Sequence, residues 1–89
     1  MSYTENSYEL CSIKRNDRGE YVVATKIESR GKNYLDIRQY YTADDDSVRP
    51  TKKGIRINTE SAKELLIGCL QVLEEDELED LIEELRGES

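Results

Sequence analysis

Few residues in this chain could do covalent or metal chemistry. There is no His, which removes Ser-His and Cys-His nucleophile pairs and the commonest transition-metal ligand. Cys11 and Cys69 lie far apart and outside any CxxC spacing, so both read as reduced thiols in a reducing, intracellular compartment. Asp44-Asp45-Asp46-Ser47 lacks the alternating ligands, central Gly and closing Glu of a calcium loop; a solvated turn is expected there, and no metal. Gly31-Lys32-Asn33 and Lys52-Lys53-Gly54 are not phosphate loops, because no GxxxxGKS or GxxxxGKT occurs. Neither an enzyme nor a cofactor is expected. What remains is a set of cations interleaved with rings. Within residues 26–56, Lys26, Arg30, Lys32, Arg38, Arg49, Lys52, Lys53 and Arg56 outnumber Glu28, Asp36, Asp44, Asp45 and Asp46, and Tyr34, Tyr40 and Tyr41 sit among them. Cations that follow a phosphate backbone and flat side chains that stack unpaired bases are what sequence-tolerant single-strand binding requires.

The elements that must position these side chains can be read from turn chemistry and periodicity. Tyr8 to Lys14 alternates weakly, Asn16-Asp17-Arg18-Gly19 is a turn, and Tyr21 to Ile27 is a β-branched run, which together predict a hairpin. Ser29-Arg30-Gly31 offers a Gly suited to positive φ before a third strand over Lys32 to Tyr41. Thr42 to Thr51, with three Asp and the only Pro, predicts a loop, and Lys53 to Ile57 a short fourth strand. The period then changes. Ser61 with Glu64 has capping-box spacing, Thr59 is the alternative cap, and Ala62, Leu65, Leu66, Cys69, Leu70 and Leu73 make a helical stripe expected to lie on a core. That stripe loses register at Asp76 and Glu77, so a break near 74–76 is expected, with Asp76 and Glu79 capping a second short helix to about Leu85.

Period-two alternation puts Leu35 and Ile37 on one face of the third strand and Lys32, Tyr34, Asp36, Arg38 and Tyr40 on the other, with Arg56 of the fourth strand joining the second set. The helix is expected to cover the aliphatic face and leave the Lys, Arg and Tyr face in solvent. On the second strand either Val23, Thr25 and Ile27 or Val22, Ala24 and Lys26 could face inward. Tyr and Arg on a solvated sheet face are also ordinary cross-strand pairs, so the pattern alone leaves binding and mere solvation both open.

Composition limits the fold. Of 89 residues 36% are hydrophobic and 37% charged, with no Phe or Trp, and mean hydropathy is -0.80, which predicts a thin aliphatic core in one small domain. Dimerisation is the expected supplement. Residues 1–6 are expected to be disordered, and 7–89 to form a single domain with an acidic helical extension from about residue 75. No apolar run is long enough for a membrane span, and residues 1–9 carry no signal-peptide pattern, so no membrane partner is expected. Charge is uneven: residues 1–58 hold eleven Lys/Arg and nine Asp/Glu, whereas 59–89 hold two and eleven. Those acids suit a solvated helical face or a surface that meets a basic partner.

Two linked segments carry a family resemblance. Arg30-Gly31-Lys32-Asn33-Tyr34-Leu35-Asp36-Ile37-Arg38-Gln39-Tyr40-Tyr41, followed by Arg49-Pro50-Thr51-Lys52-Lys53-Gly54-Ile55-Arg56-Ile57, resembles the C-terminal domain of eukaryotic transcriptional positive cofactor 4 in order, loop length and the Asp-Ile-Arg centre. The resemblance covers about residues 20–73. It implies an α+β fold with a curved four-stranded antiparallel sheet, a kinked or divided C-terminal helix, and an intertwined homodimer with channels for single-stranded DNA. By that resemblance Arg30, Lys32, Arg38, Tyr41, Arg49, Lys52 and Lys53 fall at DNA-contacting positions, and the face argument adds Tyr34, Tyr40 and Arg56. Tyr41 stands where the family has Trp, Ser29 where it often has an aromatic, and Glu20 near a usual basic site. The implied function is largely sequence-independent single-stranded DNA binding in transcription, as a coactivator, or in genome maintenance. RNA stays open as a ligand, since stacking platforms accept either sugar, and transcription machinery as a partner. The alternative is a protein interaction adaptor that uses its acidic helices and binds no nucleic acid.

Overall fold

A computed structural model describes residues 5–87. Four strands and two helices follow in chain order: β1 Glu5–Lys14, β2 Tyr21–Ser29, β3 Lys32–Thr42, β4 Val48–Asn58, α1 Thr59–Leu70 and α2 Glu75–Leu85. The strands form one open antiparallel sheet in the order β1-β2-β3-β4, so each pairs with its sequence neighbour. The chain divides into a sheet unit, Met1–Thr59, and a helical unit, Glu60–Ser89.

Each connection follows from local chemistry. Gly19 closes the β1–β2 loop at φ +80, and a Cβ there would meet Thr42 Oγ1 at 2.6 Å, so Gly answers both the backbone and the space. The β2–β3 link is a two-residue turn between the paired Ser29 and Lys32, with Arg30 and Gly31 both at positive φ, the geometry of a primed hairpin turn. Between β3 and β4, Asp46 takes φ +67 and its N–H donates to Ala43 O at 2.9 Å. The fourth strand begins at Val48, well before the sequence pattern suggests, and runs through Pro50. An edge strand tolerates Pro because the missing N–H has no ladder partner to serve. Glu5 and Asn6 also differ from expectation: they are in β1, paired with Ser29 and Glu28, while residues 1–4 lie outside the described residues.

Register decides which side chains share a face. Val23, Thr25 and Ile27 pair with Arg38, Asp36 and Tyr34, and Asp36 pairs in turn with Arg56. On the opposite face Leu35 pairs with Ile57 and Ile37 with Ile55. The expected parity is therefore present, but depth runs the other way. Val23 and Ile27, 3% and 4% exposed, and the buried Thr25 and Asp36 all belong to the Arg and Tyr face, whereas Ile55 on the aliphatic face is 51% exposed. Curvature is the cause. The sheet curls around this face, and Arg56 Nη1 on one edge strand comes within 3.7 Å of Glu5 Oε1 on the other.

Within the helical unit neither α1 nor α2 has a buried residue. Leu65, Leu66 and Leu70 of the expected core stripe remain exposed. The expected break is real: successive N–H groups of Gln71, Val72 and Leu73 donate three residues back, to Gly68, Cys69 and Leu70, which tightens and ends α1. The second helix is capped at Glu74, whose N–H donates to Glu77 Oε1 at 2.9 Å, two residues earlier than Asp76 and Glu79 predict. The acidic run repeats the same three-residue spacing at both places, so the pattern alone selects neither. Among the described residues no helix is long and apolar enough to cross a membrane.

Candidate nucleic-acid interface

The ten residues expected to meet nucleic acid are distributed over both faces, one turn and one edge-strand irregularity of the sheet unit. Lys32, Tyr34, Arg38 and Tyr40 share the concave face with Arg56. Tyr41 and Arg49 pair with each other and lie on the opposite face, the face of Gln39. Arg30 is in the β2–β3 turn, and Lys52 and Lys53 occupy an irregularity in β4.

That irregularity is built rather than loose. Register passes from Arg38↔Gly54 to Tyr40↔Pro50, so three residues, Thr51, Lys52 and Lys53, stand opposite Gln39 alone. Thr51 Oγ1 donates to Gln39 O at 2.7 Å and accepts from Lys53 N–H at 3.1 Å, and Arg38 Nη1 donates to Thr51 O at 3.0 Å. The extra residues are thereby pinned to β3, which aims two lysines outward from one point on the edge strand. Gly54 beside them is required by closeness: a Cβ would lie 2.7 Å from Ile37 O and 2.8 Å from Arg38 Cβ.

The cations fall into two groups. Arg38 Nε and Nη2 donate to Asp36 Oδ1 and Oδ2, both at 3.1 Å, and Arg56 Nε donates to Asp36 Oδ2 at 3.3 Å. Asp36 is 4% exposed. Burial by itself would push its carboxyl up, but hydrogen bonds and charges from Arg38 and Arg56 outweigh burial and hold it below the usual carboxylate range. The same bond raises Arg38 further above its ordinary value. Much of the charge on these two arginines is thus committed to the fold. Arg49 is held by Asp45 at 2.8 Å and by Ser47 Oγ at 2.8 Å. Lys32, Lys52 and Lys53 are exposed, with no ion pair at salt-bridge distance among the described residues.

Rings accompany them. Tyr41 is 39% exposed, and Tyr34 and Tyr40 are half-buried. Tyr40 pairs directly with Tyr21, and the two border a groove with Glu9, Ser12, Val23 and Val48 on the concave face. Tyr21 is not among the ten residues expected from sequence, although its parity with Val23 places it on the same face as Tyr40. Nothing among the described residues groups three His, Cys, Asp or Glu side chains as a metal site.

A curved antiparallel sheet with a lysine-bearing bulge and tyrosines along its central strands has the attributes of a single-strand-binding module. The family described as Transcriptional Coactivator p15 (PC4) matches residues 17–67, more than half of the chain. Among solved structures, the bacteriophage T5 homolog of the eukaryotic transcription coactivator PC4, implicated in recombination-dependent DNA replication, is 30% identical and superposes with a TM-score of 0.61, covering 92% of this chain and 96% of that one. No curated protein matches. The chain belongs to the PC4 family of DNA-binding transcriptional coactivators.

Proposed function

We propose that this protein is a homodimeric, largely sequence-independent single-stranded DNA-binding protein that acts in transcription, in a coactivator-like role, or in genome maintenance. The observation that carries this reading is that exposed Lys32, Lys52 and Lys53, in no salt bridge among the described residues, lie on the same two strands, β3 and β4, as Tyr34, Tyr40 and Tyr41, inside the segment that matches the family. Phosphates are neutralised by the lysines and bases stack on the rings. Membership in a coactivator family supports the transcription role, and the T5 homolog's link to DNA replication supports genome maintenance. Leu66, Ile67 and Leu85, all more than half exposed on the helices, supply apolar surface that a second copy would cover. Free, exposed Cys11 and Cys69 suit a reducing intracellular compartment.

Fluorescence anisotropy with a ~20-nucleotide single strand, its duplex and the matching RNA tests the reading. Saturable binding that prefers the single strand and weakens steeply with salt, by a log-log slope of about -0.7 per phosphate contact, is expected. Failure to bind all three would overturn the proposal in favour of the adaptor. Sedimentation at micromolar protein should show a dimer, and a folded monomer there would remove the dimeric part.

A further inference from the structure

The end of the sheet where the β1–β2 loop meets β3 is organised around one carboxylate. Glu20 Oε1 accepts from Asn16 Nδ2 at 2.5 Å and Arg18 Nη2 at 3.3 Å, and Arg15 Nη1 lies 3.9 Å from it. Glu20 Oε2 accepts from Gln39 Nε2 at 3.2 Å, and Arg15 Nη1 also donates to Gln39 Oε1 at 2.8 Å. The hydrogen bond from Asn16 is the main reason this carboxyl is held low; burial opposes it, and the charges of Arg18, Arg15 and Lys53 add to the lowering. Two guanidinium groups and two amides therefore surround a single negative charge. The scaffold beneath is firm: Arg15 N–H donates to Glu20 O at 2.9 Å, Arg18 N–H to Asn16 Oδ1 at 2.9 Å, and Thr42 Oγ1 to Gly19 O at 2.8 Å.

We infer that this cluster is a phosphodiester subsite in which Arg15 and Arg18, with Asn16 and Gln39, take a backbone phosphate of the bound strand, and Glu20 occupies the position when no strand is present. A carboxylate and the two non-bridging oxygens of a phosphodiester make the same demands: one negative charge, two acceptor atoms and planar guanidinium donors able to serve both. Exchange is sterically open, because the Glu20 side chain is 26% exposed and pivots on a loop residue outside the strands. The position also suits a strand stacked on Tyr41, since Gln39 precedes Tyr41 by two on β3 and so shares its face. Glu20 thereby lowers affinity by competing for its own donors. The inference rests on the single-strand reading above and adds Arg15 and Arg18 to its cationic track.

The test compares Glu20→Gln with Asp17→Asn in anisotropy titrations of the full chain with a single-stranded oligonucleotide at several salt concentrations. Both variants remove one acid from the same loop, but the Asp17 side chain is 99% exposed and pairs only with Lys14 among the described residues. Glu20→Gln should bind about three- to tenfold more tightly at low salt, with a slope steeper by about 0.7, and Asp17→Asn should change little. Adding Arg15→Ala and Arg18→Ala to Glu20→Gln should abolish the gain. Equal gains in the two single variants would mean a general field effect and overturn the subsite, as would unaltered binding by Glu20→Gln. If the unmodified protein binds no single strand, the reading under Proposed function fails as well, an outcome plainly separate from binding that Glu20 does not influence.

Discussion

Asp36→Asn removes a charge from the most buried ionic cluster of the sheet while keeping its shape. The carboxylate accepts two bonds from Arg38 and one from Arg56 at 3.1–3.3 Å. An amide keeps one oxygen and turns an NH2 toward guanidinium donors, so at least one bond is lost and donors are brought face to face. Hydrogen bonds to charged groups contribute about 1.5–3 kcal/mol each, and removing one partner of a fully buried pair costs about 3–5 kcal/mol. Here the arginine side chains are 22% and 44% exposed and regain some water, which places the expected loss near 2–3 kcal/mol. For a domain of this size that lowers Tm by roughly 10–20 °C. The depressed carboxyl gives a second signature. Its stabilisation is complete above the unfolded value, about 3.9, and is lost as pH falls through the lower folded value, so the gap between protein and variant should narrow as pH falls below the unfolded value. Urea unfolding at fixed protomer concentration, at pH 7 and again near pH 3, measures both effects. A variant within about 0.5 kcal/mol of the parent at pH 7, or a gap that does not narrow at all between pH 7 and pH 3, refutes the account of Asp36 as the ionic centre of this face.

Other outcomes follow from the same geometry. Tyr41→Ala should weaken single-strand binding by about 1–3 kcal/mol in anisotropy titrations while leaving the salt slope nearly unchanged. Lys53→Ala should instead reduce that slope by about 0.7, because it removes a phosphate contact and no stacking surface. Gly54→Ala brings a Cβ to 2.7 Å from the Ile37 backbone O of β3 and should destabilise the sheet by about 1–3 kcal/mol, read as a lowered urea midpoint with unchanged slope. Glu77→Ala deletes the acceptor of the Glu74 N–H and should reduce helical circular dichroism, with no effect on the sheet signal.

Much of the fold is legible in local sequence. Asn16 to Gly19 and Ser29 to Gly31 announce their turns because positive φ and side-chain-to-backbone bonds are properties of a few adjacent residues. Alternation from Lys32 to Tyr41 correctly separates Leu35 and Ile37 from Tyr34, Asp36, Arg38 and Tyr40, since a strand's pleat has a fixed period. The loss of helical stripe after Leu73 marks the break between α1 and α2 for the same reason. Depth, by contrast, depends on how four strands curl together. Only the register, which sets Val23, Thr25 and Ile27 beside Arg38, Asp36 and Tyr34, and the Glu5–Arg56 contact between edge strands reveal that the polar face is the deeper one. The same holds for the site. Residue type marks Arg38, Arg56, Lys52 and Lys53 alike as cations, but tertiary structure commits the two arginines to Asp36, leaves the two lysines on a pinned bulge, and draws Arg15, Arg18 and Gln39 around Glu20. Charge is a property of a residue, whereas its availability depends on partners up to 51 positions away in the chain, as Glu5 is from Arg56, which no short window of sequence contains.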